Sequence, residues 1–178
     1  MGAFCRGSQE AFAELFARYK QPLFGFFRRR VADAARAEDL TQDTFVAVLR
    51  GAERYEATAL FRTYLYAIGL RILLAERRKA AFRAAFLGTS DREPAARDTL
   101  DADVLLRDAV GRLERMDREI LLLREFEELS YTEIAEVLRL PVNTVRSRLF
   151  RARTALREVL TAPVVRVARE MTQSEGRA

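Results

Sequence analysis

Residues Leu129–Arg153 read LSYTEIAEVLRLPVNTVRSRLFRAR, and this stretch decides the fold class. Ser130 followed by Glu133 forms a capping box: the hydroxyl accepts from a backbone N–H of the first turn while the carboxylate reaches back. It opens a short helix whose inward positions are Ile134, Ala135 and Leu138. Arg139, Leu140 and Pro141 break that helix, and a second one begins near Val142 or Asn143. Two helices joined by a turn of about three or four residues form the layout that sets a second helix into a DNA major groove.

The second helix divides into two faces. At about 100° per residue, Val142, Val145, Leu149, Ala152 and Leu156 make one apolar stripe. Opposite lie Asn143, Thr144, Arg146, Ser147, Phe150, Arg151 and Thr154. Arginine reads guanine through two parallel hydrogen bonds, and asparagine, serine and threonine add smaller contacts to bases or phosphate. Phe150 on this face either touches sugar and thymine methyl groups or packs on a neighbouring helix. Charge is segregated as well. Asp108 to Glu136 holds nine acids and four arginines, a net −5, whereas Arg139 to Arg157 holds six arginines and no acid. The expectation is that a polyanion meets the second block and avoids the first, with binding that falls steeply with salt.

Composition narrows the function classes. The chain has 178 residues, no histidine and one cysteine, Cys5. Internal disulfides are therefore impossible, the usual zinc ligand sets are missing, and Ser-His-Asp or Cys-His catalysis has no residues to use. Neither an enzyme nor a cofactor is expected. No apolar run approaches the roughly 20 residues of a membrane span, and Met1 to Glu10 lacks the layout of a secretory signal. A cytoplasmic protein without membrane insertion is the expectation.

Elsewhere apolar residues recur at helical steps of three and four, so the chain reads as all-α. Leu87 to Pro94 clusters turn formers and charge, with polar residues on to Asp103. This stretch marks either a linker between two helical units or an ordered surface loop within one. With a linker over 85–103, the units are 7–84 and 104–162, followed by a frayed tail over 163–178. In the first unit, Phe12, Leu15, Phe16 and Tyr19 form a helical stripe, and Pro22 is expected to start another helix. A third helix is predicted over Glu38 to Ala52, a loop over Glu53 to Ala59, and a fourth helix from Leu60 to Arg83. The second unit reads as four helices, the first from Val104 to Leu113. On the helix Ala37 to Arg50, Thr41, Phe45, Val48 and Leu49 point one way, and Asp39, Asp43 and Arg50 the other. Arg28, Arg29 and Arg30 read as a solvated or phosphate-facing helix end.

Ala37-Glu-Asp-Leu-Thr-Gln-Asp-Thr-Phe45 resembles the region 2 signature of extracytoplasmic-function (ECF) sigma factors, and 129–138 with 141–153 resembles their region 4. The resemblance spans about Gly7 to Ala84 and Val104 to Leu160, in the family's order. It implies two small helical domains joined by a flexible linker, without catalysis. Asp39, Gln42 and Asp43 would dock on the β′ clamp of core RNA polymerase, with Leu49 beside them. Arg54, Tyr55 and Glu56 resemble the loop that captures an unstacked −10 base. Tyr64, Arg71, Arg77, Arg78 and Lys79 would face −10 DNA, where aromatics on a basic surface suit single strands. Phe61 and Tyr64 are equally well read as core residues. Asn143, Thr144, Arg146, Ser147, Phe150 and Arg151 would contact the −35 element of promoter DNA. An anti-sigma factor is the implied regulatory partner.

The sequence also departs from the family's pattern. Tyr64 stands at a usual tryptophan, Arg71 at asparagine and Ala75 at aspartate, which bears on strand opening. Arg139 and Asn143 stand at usual glycines, so Arg139 implies strain or a different turn. Two other readings stay open at this point: a sigma mimic that titrates an anti-sigma factor, and a helix-turn-helix regulator with an unrelated first domain.

Overall fold

Ser8 fixes where the first helix begins: its hydroxyl accepts the Ala11 N–H at 3.2 Å, which satisfies one of the amides a helix start leaves without a partner. From there the computed structural model, which describes residues 8–52, 60–87 and 101–175, is built of seven α-helices among those residues. They fall into two compact units, one holding the first three helices and the other most of the last four. The loop expected over Glu53 to Ala59 lies outside the described residues, as does most of the expected linker.

Helix α1, Gln9–Arg28, passes straight through Pro22, so no new helix starts there. An interior proline costs about 3 kcal/mol. Just beyond it, Leu23, Phe26 and Phe27 are fully buried, and each side chain so buried contributes about 1.5–3 kcal/mol. Packing therefore outweighs the break, and Pro22 itself sits on the exposed side.

Two of the three arginines that follow are engaged with backbone carbonyls. Arg28 Nη1 donates to the Ala32 carbonyl at 2.6 Å. Arg30 is 6% exposed, donates to the Phe26 carbonyl at 2.8 Å, and lays its guanidinium 3.7 Å from the centre of the Phe26 ring. Of the three arginines expected at a solvated end, only Arg29 is exposed.

Helix α2, Ala34–Arg50, begins a turn before its expected start because Asp33 caps it, accepting from the Ala35 N–H at 3.0 Å. Leu40, Phe45 and Val48 enter the core, and Phe45 meets Phe12 and Phe16 of α1 at ring separations of 6.2 and 4.8 Å. The buried hydroxyls of Thr41 and Thr44 donate to the carbonyls of Ala37 and Leu40, both at 2.7 Å, so neither is an unmet polar group.

Helix α3, Phe61–Leu87, packs on α2 and also touches α1. Gly69 makes the close approach possible, since a Cβ there would lie 3.3 Å from the Phe27 ring. Arg77 Nη2 donates to the Arg30 carbonyl at 2.9 Å, tying α3 to the turn between α1 and α2.

The second unit has four helices, as expected: α4 (Asp101–Arg112), α5 (Arg115–Glu125), α6 (Tyr131–Leu138) and α7 (Val142–Glu175). Its core joins Ile120 and Leu123 of α5, Leu129, Ile134 of α6, and Val145, Leu149 and Ala152 of α7, all at most 1% exposed. Helix α4 starts earlier than the expected Val104. Helix α7 carries on through Pro163 to Glu175, where a frayed tail was expected.

Candidate nucleic-acid interface

The capping box forms in both directions. Glu133 N–H donates to Ser130 Oγ at 3.2 Å, and Ser130 N–H donates to Glu133 Oε2 at 2.9 Å. Ile134 and Ala135 are buried and Leu138 half-buried, with Val137 joining the inward side. At the turn, Arg139 has φ 54°, the left-handed conformation that glycine adopts without penalty. The Leu140 N–H then donates to the Ala135 carbonyl at 2.9 Å, and the Thr144 N–H to Pro141 at 2.9 Å, which starts α7. A non-glycine residue in this conformation costs roughly 1–2 kcal/mol, partly offset by glycine's larger unfolded-state entropy. Arg139→Gly is accordingly expected to stabilise the second unit by about 1 kcal/mol, measured as a rise in the midpoint of chemical denaturation.

Helix α7 turns its stripe of Val145, Leu149 and Ala152 inward and leaves Asn143, Arg146, Ser147, Phe150 and Arg151 exposed, with Thr144 half-buried. Phe150 is 72% exposed, so it does not serve as packing for a neighbouring helix. Asn143 Oδ1 accepts from Arg146 Nη1 at 3.4 Å, and Ser147 Oγ donates to the Thr144 carbonyl at 3.1 Å.

The charge split is less clean in space than along the chain. Arg148 pairs with Glu114 and, at 2.8 Å, with Asp117. Arg151 lies 3.5 Å from Asp117, and Arg153 lies 2.7 Å from Glu125. Three arginines of the basic block thus meet acids of the block expected to stand apart, because α5 packs along α7. The Met116 amide, followed by Arg148, holds the Glu114 carboxyl below its ordinary range. Hydrogen bonds to Asp117 and Glu114 raise Arg148, and the bond to Glu125 raises Arg153.

In the first unit Asp39, Gln42 and Asp43 are all exposed along α2. Leu49 is 46% exposed and stands with them, so its placement on the core side is corrected. Val46, 42% exposed, continues the same strip and escaped the sequence reading, although its three-residue step from Asp43 was a usable signal. Arg36 reaches Asp39 at 3.5 Å and Glu76 of α3 at 2.7 Å, linking this strip to the neighbouring helix.

The expected −10 residues separate into groups. Arg54, Tyr55 and Glu56 lie outside the described residues. Arg71, Arg78 and Lys79 are exposed on one side of α3. Arg77 does not join them, since it is engaged with the Arg30 carbonyl. Phe61 and Tyr66 are core residues, against Tyr19 at 5.2 Å and Phe26 at 5.4 Å. Tyr64 is half-buried, its hydroxyl only 2.6 Å from where a Cβ on Gly51 would stand. Position 51 thus has no room for a larger residue while Tyr64 lies as it does. Phe82 and Phe86, 71% and 83% exposed, stack at 6.1 Å and extend the Arg78–Lys79 side.

A helix-turn-helix with an exposed polar reading face, in a chain that also carries a separate three-helix unit, defines a modular DNA-binding protein of transcription. Among the described residues no helix is long and apolar enough to cross a membrane.

Comparison with known proteins narrows the class. The family described as "Sigma-70 region 2" matches residues 15–83, and "Sigma-70, region 4" matches 103–156. The RNA polymerase sigma-H factor of Pseudomonas aeruginosa is 34% identical, with 92% of each chain covered. The ECF RNA polymerase sigma factor SigW of Bacillus subtilis is 30% identical, over 87% of this chain and 91% of its own. Among solved structures, CnrH in complex with the cytosolic domain of CnrY is similar at 31% identity and a TM-score of 0.68, covering 89% of this chain and 92% of that one. The chain belongs to the sigma-70 family as a sigma factor of the ECF type: a non-enzymatic protein that directs promoter-specific transcription initiation by RNA polymerase.

Proposed function

We propose that the two units divide the promoter between them, in the cytoplasm and on core polymerase. The outer strip of α2, with Asp39, Gln42, Asp43 and Leu49, docks on the β′ clamp. The exposed side of α3, with Arg71, Arg78 and Lys79, takes the −10 strand together with Arg54, Tyr55 and the edge of Tyr64. Arg77 acts from behind by holding α3 in place. Asn143, Thr144, Arg146, Ser147, Phe150 and Arg151 read the −35 duplex.

The observation that supports this reading is α7 itself, where Val145, Leu149 and Ala152 are buried and Asn143, Arg146, Ser147, Phe150 and Arg151, residue types suited to bases and phosphate, are left exposed. No covalent step is involved. Trapping unpaired bases offsets the lost stacking, about 1.4 kcal/mol per base-pair step. CnrH, a structural relative, was solved with the cytosolic domain of CnrY; an anti-sigma factor is the comparable partner inferred for this chain.

The test is transcription with purified core polymerase on a genomic promoter library, with start sites read by sequencing. Starts preceded by one shared pair of −10 and −35 elements are expected. A library that yields no start above core enzyme alone would refute the reading.

A further inference from the structure

The reading helix is held by an acid that lies, in the sequence, within the block of negative charge. Asp117, in the first turn of α5, has a side chain only 11% exposed. Its Oδ1 accepts from Arg148 Nη1 at 2.8 Å and lies 3.5 Å from Arg151 Nη2. The two contacts are unequal. Arg148, 27% exposed, also meets Glu114, so two carboxylates compensate its charge. Arg151 is 60% exposed and reaches the shared oxygen only beyond the usual hydrogen-bond range, leaving most of its five-donor fork to solvent.

We propose that Asp117 is a positioning residue for promoter recognition: it anchors Arg148 permanently and holds Arg151 on a shared oxygen until a DNA phosphate takes Arg151 over. This rests on the reading of α7 as the −35 helix. A phosphate offers Arg151 a charge-assisted, two-point contact where Asp117 offers one long one, so exchange runs toward the DNA. Arg148 keeps its two carboxylates and stays in place. While Asp117 stands beside it, Arg151 acts on DNA as less than a full positive charge. Binding to unrelated duplex is almost wholly electrostatic, so that restraint weakens wrong sites more than the right one. Asp117 thereby supports specificity although it touches no base.

The test uses polymerase carrying the full-length protein, titrated over a salt series. The two probes are a responsive promoter duplex and the same duplex with its −35 element scrambled. Asp117→Asn keeps the shape and an acceptor oxygen for Arg148. It is expected to tighten binding to the scrambled duplex about three- to tenfold at low salt, and to steepen the log–log salt slope by up to about 0.9. Discrimination between the two duplexes should fall accordingly. In an Arg151→Gln background the same substitution should leave slope and discrimination unchanged.

A gain that persists undiminished without Arg151 would overturn the proposal, since it would reflect bulk charge alone. An unchanged slope with a lowered melting temperature would also overturn it, leaving Asp117 as a contact of the fold. Should Asp117→Asn prove unstable, Asp117→Glu decides, because it keeps the charge: a parent-like slope supports the role and a steepened one refutes it. Arg146→Ala separates the two levels. If it and Arg151→Gln both leave duplex binding untouched, the −35 reading itself falls. If they weaken binding while Asp117→Asn is silent, only the role of Asp117 falls.

Discussion

Asp43→Arg is expected to weaken assembly with core polymerase at least about 100-fold and to abolish promoter-directed transcription, with the fold left intact. Asp43 stands in the middle of the exposed strip of α2, with Asp39 one turn before it, Gln42 beside it, and Val46 and Leu49 after it. Such a strip, acids and an amide beside two part-exposed aliphatic side chains, suits a partner that is basic around an apolar patch. Reversing the central charge replaces an attraction by like-charge contact, which costs several kcal/mol at an interface. Each 1.4 kcal/mol is tenfold in affinity. The side chain faces solvent and arginine favours helix, so the melting temperature should stay within a degree or two of the parent. Competition for core polymerase against the parent protein measures the effect. Equal competition by the variant would remove α2 from the polymerase surface.

How much of this was legible beforehand depended on how local the governing interaction was. The capping box and the break at Pro141 involve residues no more than a few positions apart, and both form as read. At Arg139 the signal was the resemblance, which puts a glycine there and left strain or a different turn open; the residue takes φ 54°.

Where the outcome turned on packing between helices, the reading slipped. Pro22 looks like a helix start until Leu23, Phe26 and Phe27 are seen to be buried together. Arg30 reads as part of a solvated or phosphate-facing helix end and Arg77 as one of a row of −10 residues, yet Arg30 lies over Phe26 and Arg77 donates to the Arg30 carbonyl. Leu49 illustrates a finer limit. At about 100° per residue it falls roughly 110° from the centre of the arc buried by Leu40, Thr44, Phe45 and Val48, at the margin where periodicity alone does not decide. The pairing of Arg148 with Asp117, 31 residues away, has no local sign at all. It follows only from α5 lying along α7.

That dependence of the reading face on the core beneath it underlies the second large effect. Leu149→Ala is expected to destabilise the second unit by about 2–5 kcal/mol, the usual cost of emptying a buried leucine site. Leu149 is 1% exposed and sits in α7 between Val145 and Ala152, both fully buried, roughly opposite Ser147 and Arg151 at about 100° per residue. A unit this small holds only a few kcal/mol in reserve, so the loss unfolds a large share of it at physiological temperature. The first unit has its own core around Phe26, Phe27, Leu40 and Leu65, and should keep its melting transition. The two readouts therefore part company. Assembly with core polymerase through α2 should fall by no more than a few-fold, whereas the stimulation of transcription by a correct −35 element should disappear. Calorimetry should show one transition moved or lost and the other unchanged. If −35 dependence survived in a protein whose second transition had gone, sequence reading would have to reside somewhere other than α7.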